Sequence, residues 1–156
     1  MIDSIGKKKV FTKMDLQWGY NNVRIKEGDE WKAAFSMPEE AFEPMIMFFG
    51  LTNLPATFQT MIDNLLRDII EVGDVAVFID NIMVGMKTEE EYNEIIEEVL
   101  RRLAENDFFV KPGKYVWKIR EVGFLEVIIG PDRVKMEKKK VQEVIDWPLP
   151  KSMKDV

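Results

Sequence analysis

Val75-Ala76-Val77-Phe78-Ile79-Asp80-Asn81-Ile82-Met83-Val84-Gly85 decides how the rest of the chain is read. Two short apolar, β-branched runs flank one polar dipeptide, Asp80-Asn81. The runs are too short and too rich in Val and Ile for a helix, and Asp and Asn favour tight turns. The stretch therefore predicts a β-hairpin turning at Asp80-Asn81. A polar dipeptide there could be turn filler and nothing more. A second carboxylate, Asp15, follows another short strand-like run, Val10-Phe11-Thr12-Lys13-Met14. Two carboxylates delivered by neighbouring strands offer the hard oxygen ligands that Mg²⁺ takes while keeping some of its waters.

Composition narrows the chemistry. The 156 residues, 46% hydrophobic and 32% charged, suit one folded domain with its own core. With no Cys and no His, the chain has no disulfide framework, Cys/His zinc site, thiol nucleophile or Ser-His-Asp triad. Carboxylate, Lys, Tyr and metal chemistry remain. No apolar run approaches the ~18 residues of a membrane span, so no membrane partner is expected. The start lacks a signal-peptide pattern. These features read as intracellular and not secreted. The formal charge of −6, from 22 basic and 28 acidic residues, predicts weak nucleic-acid affinity. Much of the acid crowds into one segment from Glu89 to Glu105, read as the solvated face of a helix.

The spacing of the remaining residues predicts α+β architecture, an antiparallel sheet with helices packed on one face. Strands are expected at Val10–Met14, Val23–Ile25, Phe108–Val110, Tyr115–Trp117, Val122–Ile129 and Val134–Met136. Trp31–Met37 and Phe42–Phe49 are expected to pair as a hairpin. Pro55 followed by Phe58, Met61, Ile62, Leu65 and Ile69 predicts one helix ending near Gly73. Thr88 with Glu91 forms a capping-box pattern, and Tyr92, Ile95, Ile96, Val99 and Leu103 give the apolar face of the long helix that follows. A last helix is expected from about Glu137 to before Pro148.

Five segments in order resemble the palm region of reverse transcriptases, those of gypsy-type LTR retrotransposons in particular, from Val10 to Val156. They are Phe11-Thr12-Lys13-Met14-Asp15-Leu16 with Gly19-Tyr20; Phe48 through Gln59; Phe78-Ile79-Asp80-Asn81; Phe124-Leu125-Glu126; and Asp146 through Pro150. The resemblance implies a polymerase palm-like domain over residues 10–147. It makes 1–9 a lead-in from missing fingers and 148–156 the start of a junction to a missing thumb. The implied chemistry is RNA-directed DNA synthesis by two-metal nucleotidyl transfer with Mg²⁺, Mn²⁺ substituting, on an RNA/DNA template-primer and dNTP. The matching metal ligands are Asp15 and Asp80, with Asn81 completing the catalytic set. Leu16, Tyr20, Phe49 and Gly50 match the nucleotide-binding positions, and Phe124 and Leu125 the primer grip. Tyr20 takes the sugar-gate position, or else is a core tyrosine. Lys114 lies near the motif whose Lys protonates the leaving group, or else is an ordinary surface Lys.

Several positions depart from the family pattern. Asn81 replaces a second Asp, and an amide oxygen can ligate a metal but brings no charge. Glu126 stands where the primer grip has Gly, and a positive φ there would cost Glu about 1–2 kcal/mol. Arg133, Glu40, Tyr115 and Tyr92 also differ from the family. Each of these changes, with Asp to Asn at 81, can arise from one C-to-T change on one DNA strand; Gly113 does not fit that rule. The expectation is a degenerate copy with an impaired site. The alternative is a non-catalytic relic or interaction module that retains only the scaffold. A nucleotide-cyclase-like palm would need a Gly-Gly hairpin signature that this chain lacks.

Overall fold

The computed structural model describes residues 5, 7–131 and 133–147. The junction expected over 148–156 lies outside the described residues, as does most of the start of the lead-in.

The central sheet is built on β1 (Val10–Gln17), which continues three residues past the expected Met14. It pairs antiparallel with β5 (Asn81–Met86), from Val10 opposite Met86 to Asp15 opposite Asn81. β4 (Val75–Phe78) pairs with β5 to close the predicted hairpin, with Phe78 opposite Asn81. The loop is therefore Ile79-Asp80, one residue earlier than expected, and Asn81 opens β5. Ile79 takes φ 56°, a costly conformation for a β-branched side chain, and that lets so short a loop reverse the chain.

The other edge of β1 is completed in turn by two short strands. β6 (Phe109–Val110) lies opposite Leu16 and Gln17, and β7 (Val116–Ile119) lies opposite Phe11 and Lys13. A second sheet of β8 (Val122–Phe124), β9 (Val127–Gly130) and β10 (Arg133–Met136) splits the run expected as one strand from Val122 to Ile129. Its first turn, Leu125-Glu126, has φ of 50° and 66°, the two positive values of a type I′ hairpin turn. The Gly expected at that position is the residue the backbone favours.

The Trp31–Phe49 hairpin forms only in part. Glu30–Ala33 is a 3₁₀ turn, and just β2 (Phe35–Ser36) and β3 (Ala41–Phe42) pair. Val23–Ile25 makes an isolated bridge, Arg24 to Ile46, and is no strand.

Helices cover one face of the main sheet. The stripe from Pro55 to Ile69 is divided between α1 (Leu54–Leu65) and α2 (Arg67–Val72), broken at Leu66. Arg102 donates to the Leu65 carbonyl at the break (3.1 Å). Gly73, at φ 84°, ends α2 as expected. Thr88 caps α3 (Glu89–Glu105) by accepting from the Glu91 N–H, and α4 (Lys138–Ile145) follows Glu137.

Strand alternation sorts the residues between faces. Met14, Leu16, Val75, Val77, Ile82 and Val84 pack with Phe58, Ile62, Leu66, Tyr92, Ile96 and Val99 on the helix side. Each such fully buried side chain contributes about 1.5–3 kcal/mol. Phe11, Ala76 and Met83 pack on the other side with Val122, Phe124 and Ile129 of the second sheet. Asp15 and Lys13 alternate with Met14 and Leu16, so they stand on the face away from the helices.

Candidate active site

Asp15 and Asp80 come together because β1 and the β4–β5 hairpin are in register. Asp15 lies opposite Asn81, and the Leu16 N–H donates to the Asp80 carbonyl at 2.8 Å. Both carboxylates line a cleft of about 170 Å³ with Leu16, Trp18, Gly19, Tyr20, Asn21, Phe49, Phe58, Lys111 and Lys114.

Each wall has a local cause. After β1 the chain turns through Trp18, at φ 51° and 73% exposed, into the 3₁₀ turn Gly19–Asn22. Gly19 is required there: a Cβ would sit 2.6 Å from the ring of the fully buried Phe58. Tyr20 then meets Phe58 and Phe49 edge-on, with centroids 4.9 and 5.2 Å away. Burial, and secondly the Asp80 charge, push its hydroxyl above the usual tyrosine pKa. Phe49 is 76% exposed at the cleft mouth, beside Gly50 at φ 110°.

The opposite wall comes from the segment joining β6 to β7. The Lys111 N–H donates to the Asp15 carbonyl (2.8 Å), and the Lys114 N–H to the Lys111 carbonyl (3.3 Å). With Pro112 second and Gly113 third at φ 79°, Lys111 to Lys114 has the residue pattern of a type II turn. That turn brings both lysines into the lining of the cleft that Asp15 and Asp80 share. Lys111 was not singled out from the sequence, where Pro112-Gly113 reads only as punctuation between strands.

Asp15 Oδ1 is buried with no hydrogen-bond partner, and the nearest paired cation, Lys13 Nζ, is 4.0 Å away. Asn81 Nδ2 donates to Asp80 Oδ1 at 3.0 Å. The donor set is all oxygen and suits a hard cation. It is sparse: among the described residues no three His, Cys, Asp or Glu side chains cluster as a metal site.

Gln59 ends the Phe48–Gln59 segment, whose sequence assigns it no role of its own. Its carboxamide spans the strained end of the hairpin, accepting from the Ile79 N–H (2.7 Å) and donating to the Val77 carbonyl (3.3 Å) and to Asp63 (2.8 Å). Its amide thus takes the place of a strand partner beside Asp80. A partner 20 positions away in sequence gives no local signal.

The expected site residues divide by place. Asp15, Leu16, Tyr20, Phe49 and Asp80 share the cleft, Leu16 through its backbone with its side chain in the core. Gly50 lines a neighbouring cavity with Leu51 and Asn53. Phe124 and Leu125 are outside the cleft; Phe124 is 1% exposed in the second core, and Leu125 stands in the β8–β9 turn.

A family model described as reverse transcriptase (RNA-dependent DNA polymerase) matches residues 1–129. The chain belongs to the reverse transcriptase family. The chain is 29% identical over 156 residues to the Tf2-7 transposon polyprotein of Schizosaccharomyces pombe, and 28% identical to the Tf2-3 polyprotein. In both, all of the chain is aligned and spans 12% of the relative's length. Its fold matches the foamy viral protease-reverse transcriptase in complex with RNA/DNA hybrid, with TM-score 0.82 and 22% identity over 99% of this chain and 21% of that one. The foamy viral dRH form in complex with ds DNA gives 0.84 and 23% over 96% and 26%. At these identities the likeness concerns the fold, α+β with a palm-type antiparallel sheet. No helix among the described residues is long and apolar enough to cross a membrane.

Proposed function

We propose that the chain is the palm region, residues 10–147, of an RNA-directed DNA polymerase from a gypsy-type LTR retrotransposon, with a degenerate catalytic site. The observation that carries this reading is the convergence of Asp15 and Asp80 on one cleft with Tyr20, Phe49 and two lysines. Asp15 and Asp80 would hold Mg²⁺, or Mn²⁺ in its place; the buried, unpartnered Asp15 Oδ1 fits a cation. When bound, the metal supplies charge that activates a primer 3′-hydroxyl and stabilises departing pyrophosphate.

The other residues act on the nucleotide. The Tyr20 ring, fixed by Phe58, presents an aromatic face where a ribose 2′-hydroxyl would clash. Phe49 offers an exposed ring to the incoming base and sugar, with Gly50 turning the backbone beside it. Lys111 and Lys114 supply positive charge for phosphate oxygens. Template-primer duplex and dNTP are the proposed partners, in keeping with the nucleic acids bound by the foamy viral proteins. Phe124 and Leu125 shape the proposed primer-grip turn, Phe124 from within the core.

A specific observation favours a second reading, a non-catalytic relic. Asn81 satisfies its amide on Asp80 Oδ1, so the hairpin is at rest without a metal. Primer extension with Mg²⁺ on a primed RNA template separates the two. Extension above an Asp80→Ala control supports the polymerase; equal, background-level signal from both supports the relic.

A further inference from the structure

We infer that Lys13 is the resident counter-cation of Asp15, and that a divalent metal entering the cleft has to displace its ammonium. This rests on the reading of Asp15 and Asp80 as a metal site. The two side chains share one face of β1, two residues apart, with Lys13 Nζ 4.0 Å from Asp15 Oδ1. That oxygen is the one buried without a hydrogen-bond partner. At 4.0 Å the ammonium is too far to donate a hydrogen bond, so it compensates the carboxylate by charge alone. Both side chains are largely shielded, 27% and 19% exposed, which limits screening by solvent.

The arrangement is fixed by the sheet. β1 has neighbours on both edges at this point, with Lys13 opposite Met83 of β5 and Val116 of β7. The pair cannot separate by strand movement; only the flexible Lys13 stem can swing away. A long, mobile cation is well suited to such a placeholder.

The surrounding charges reinforce the effect. Lys111 and Lys114 line the cleft with Asp15 and Asp80, and Lys13 adds a third positive charge beside Asp15 from outside that lining. The lining charges of the cleft balance, two carboxylates against two ammoniums, so a dication arriving there is repelled by the lysines as well as attracted by the aspartates. Lys13 is the nearest source of that repulsion, and removing it should strengthen metal binding. Few substitutions tighten a site by damaging a fold, so a gain in affinity distinguishes this role from a structural one.

The test is Mn²⁺ titration of the full chain, followed by electron paramagnetic resonance, with circular dichroism to verify folding. Lys13→Met keeps the stem and removes the charge. It should bind Mn²⁺ about tenfold more tightly, equal to about 1.4 kcal/mol. Lys13→Gln carries the same expectation should the Met variant fail to fold. Lys13→Arg keeps the charge and should match the natural protein. Asp15→Asn should abolish the gain in every background. If Lys13→Met and Lys13→Gln bind no more tightly than the natural chain while Asp15→Asn still loses binding, the counter-cation inference fails and the metal site stands. Equal tightening by Lys13→Arg also overturns it. If no variant binds Mn²⁺, the metal-site reading fails and takes this inference with it.

Discussion

Restoring a second carboxylate by Asn81→Asp should weaken the metal-free protein and strengthen the metal-bound one. In the natural chain Asn81 Nδ2 donates to Asp80 Oδ1 at 3.0 Å, a favourable contact between an amide and a charged group. The substitution removes a hydrogen bond worth about 1.5–3 kcal/mol and leaves two anionic oxygens face to face. Their bare repulsion at such a separation would be about 5 kcal/mol at an effective dielectric near 20. Both residues are partly exposed, so water and a small rotation of the side chains recover most of it. A net loss of about 2 kcal/mol is expected, or about 4–8 °C in Tm for a chain of this size. A divalent cation reverses the sign, because the added charge then faces a metal. Thermal denaturation in EDTA and in excess Mn²⁺ checks both halves. The variant should melt lower in EDTA and show the larger Mn²⁺-induced rise. Residual nucleotidyl transfer should rise by about 10- to 100-fold, the equivalent of about 1.4–2.7 kcal/mol in the barrier. Equal stability of the two proteins in EDTA would refute the proposed contact between positions 80 and 81. An equal Mn²⁺-induced rise would show that a carboxylate at position 81 does not reach a metal held by Asp15 and Asp80.

Three other outcomes follow from single contacts. Gly19→Ala forces a Cβ to within 2.6 Å of the Phe58 ring and should cost about 1–3 kcal/mol in urea denaturation; an unchanged midpoint would mean the 3₁₀ turn is not packed against α1. Glu126→Gly relieves a positive φ of 66° and should gain about 1 kcal/mol, the lost Lys140–Glu126 pair at 3.0 Å being exposed and screened by solvent; a net loss of Tm would contradict the strain. Arg102 beside Asp68, and Arg101 then Arg102 beside Glu98, hold both carboxyls down at about 2. Lowered folded values mean stability that is present above the ordinary pKa values of 3.8 and 4.5 and is lost as pH falls toward 2. Arg102→Met should therefore flatten the acid limb of the stability curve, and an unaltered limb would show that these pairs contribute nothing.

The hairpin was legible because its signal is local, β-branched residues on both sides of one polar dipeptide. The position of its turn was not, because Ile79 in isolation belongs in a strand and takes φ 56° only with Gln59 bonded across it from α1. The break at Leu66 was hidden for a related reason. The apolar stripe runs unbroken from Phe58 to Ile69, and the partner that meets the freed Leu65 carbonyl, Arg102, lies on another helix. Spacing reports which face of an element is buried; it does not report contacts supplied from a distance.

The same distinction governs the electrostatics. A charge of −6 is a sum over the whole surface, and the expectation of weak nucleic-acid affinity was drawn from that sum. The fold separates the terms. α3, which carries Glu90, Glu91, Glu94 and Glu97 exposed to solvent, packs on the helix face of the main sheet through Tyr92, Ile96 and Val99. Asp15 alternates to the opposite face, and Lys13, Lys111 and Lys114 stand around it. A phosphate approaching the cleft therefore meets Lys111 and Lys114 alongside Asp15 and Asp80, while the α3 glutamates belong to the helix packed on the other face of the sheet. With a screening length near 8 Å at physiological salt, the near charges dominate. The acidic composition sets how the protein behaves as a colloid, and the placing of Lys111 and Lys114 beside Asp15 and Asp80 sets the local field of the cleft.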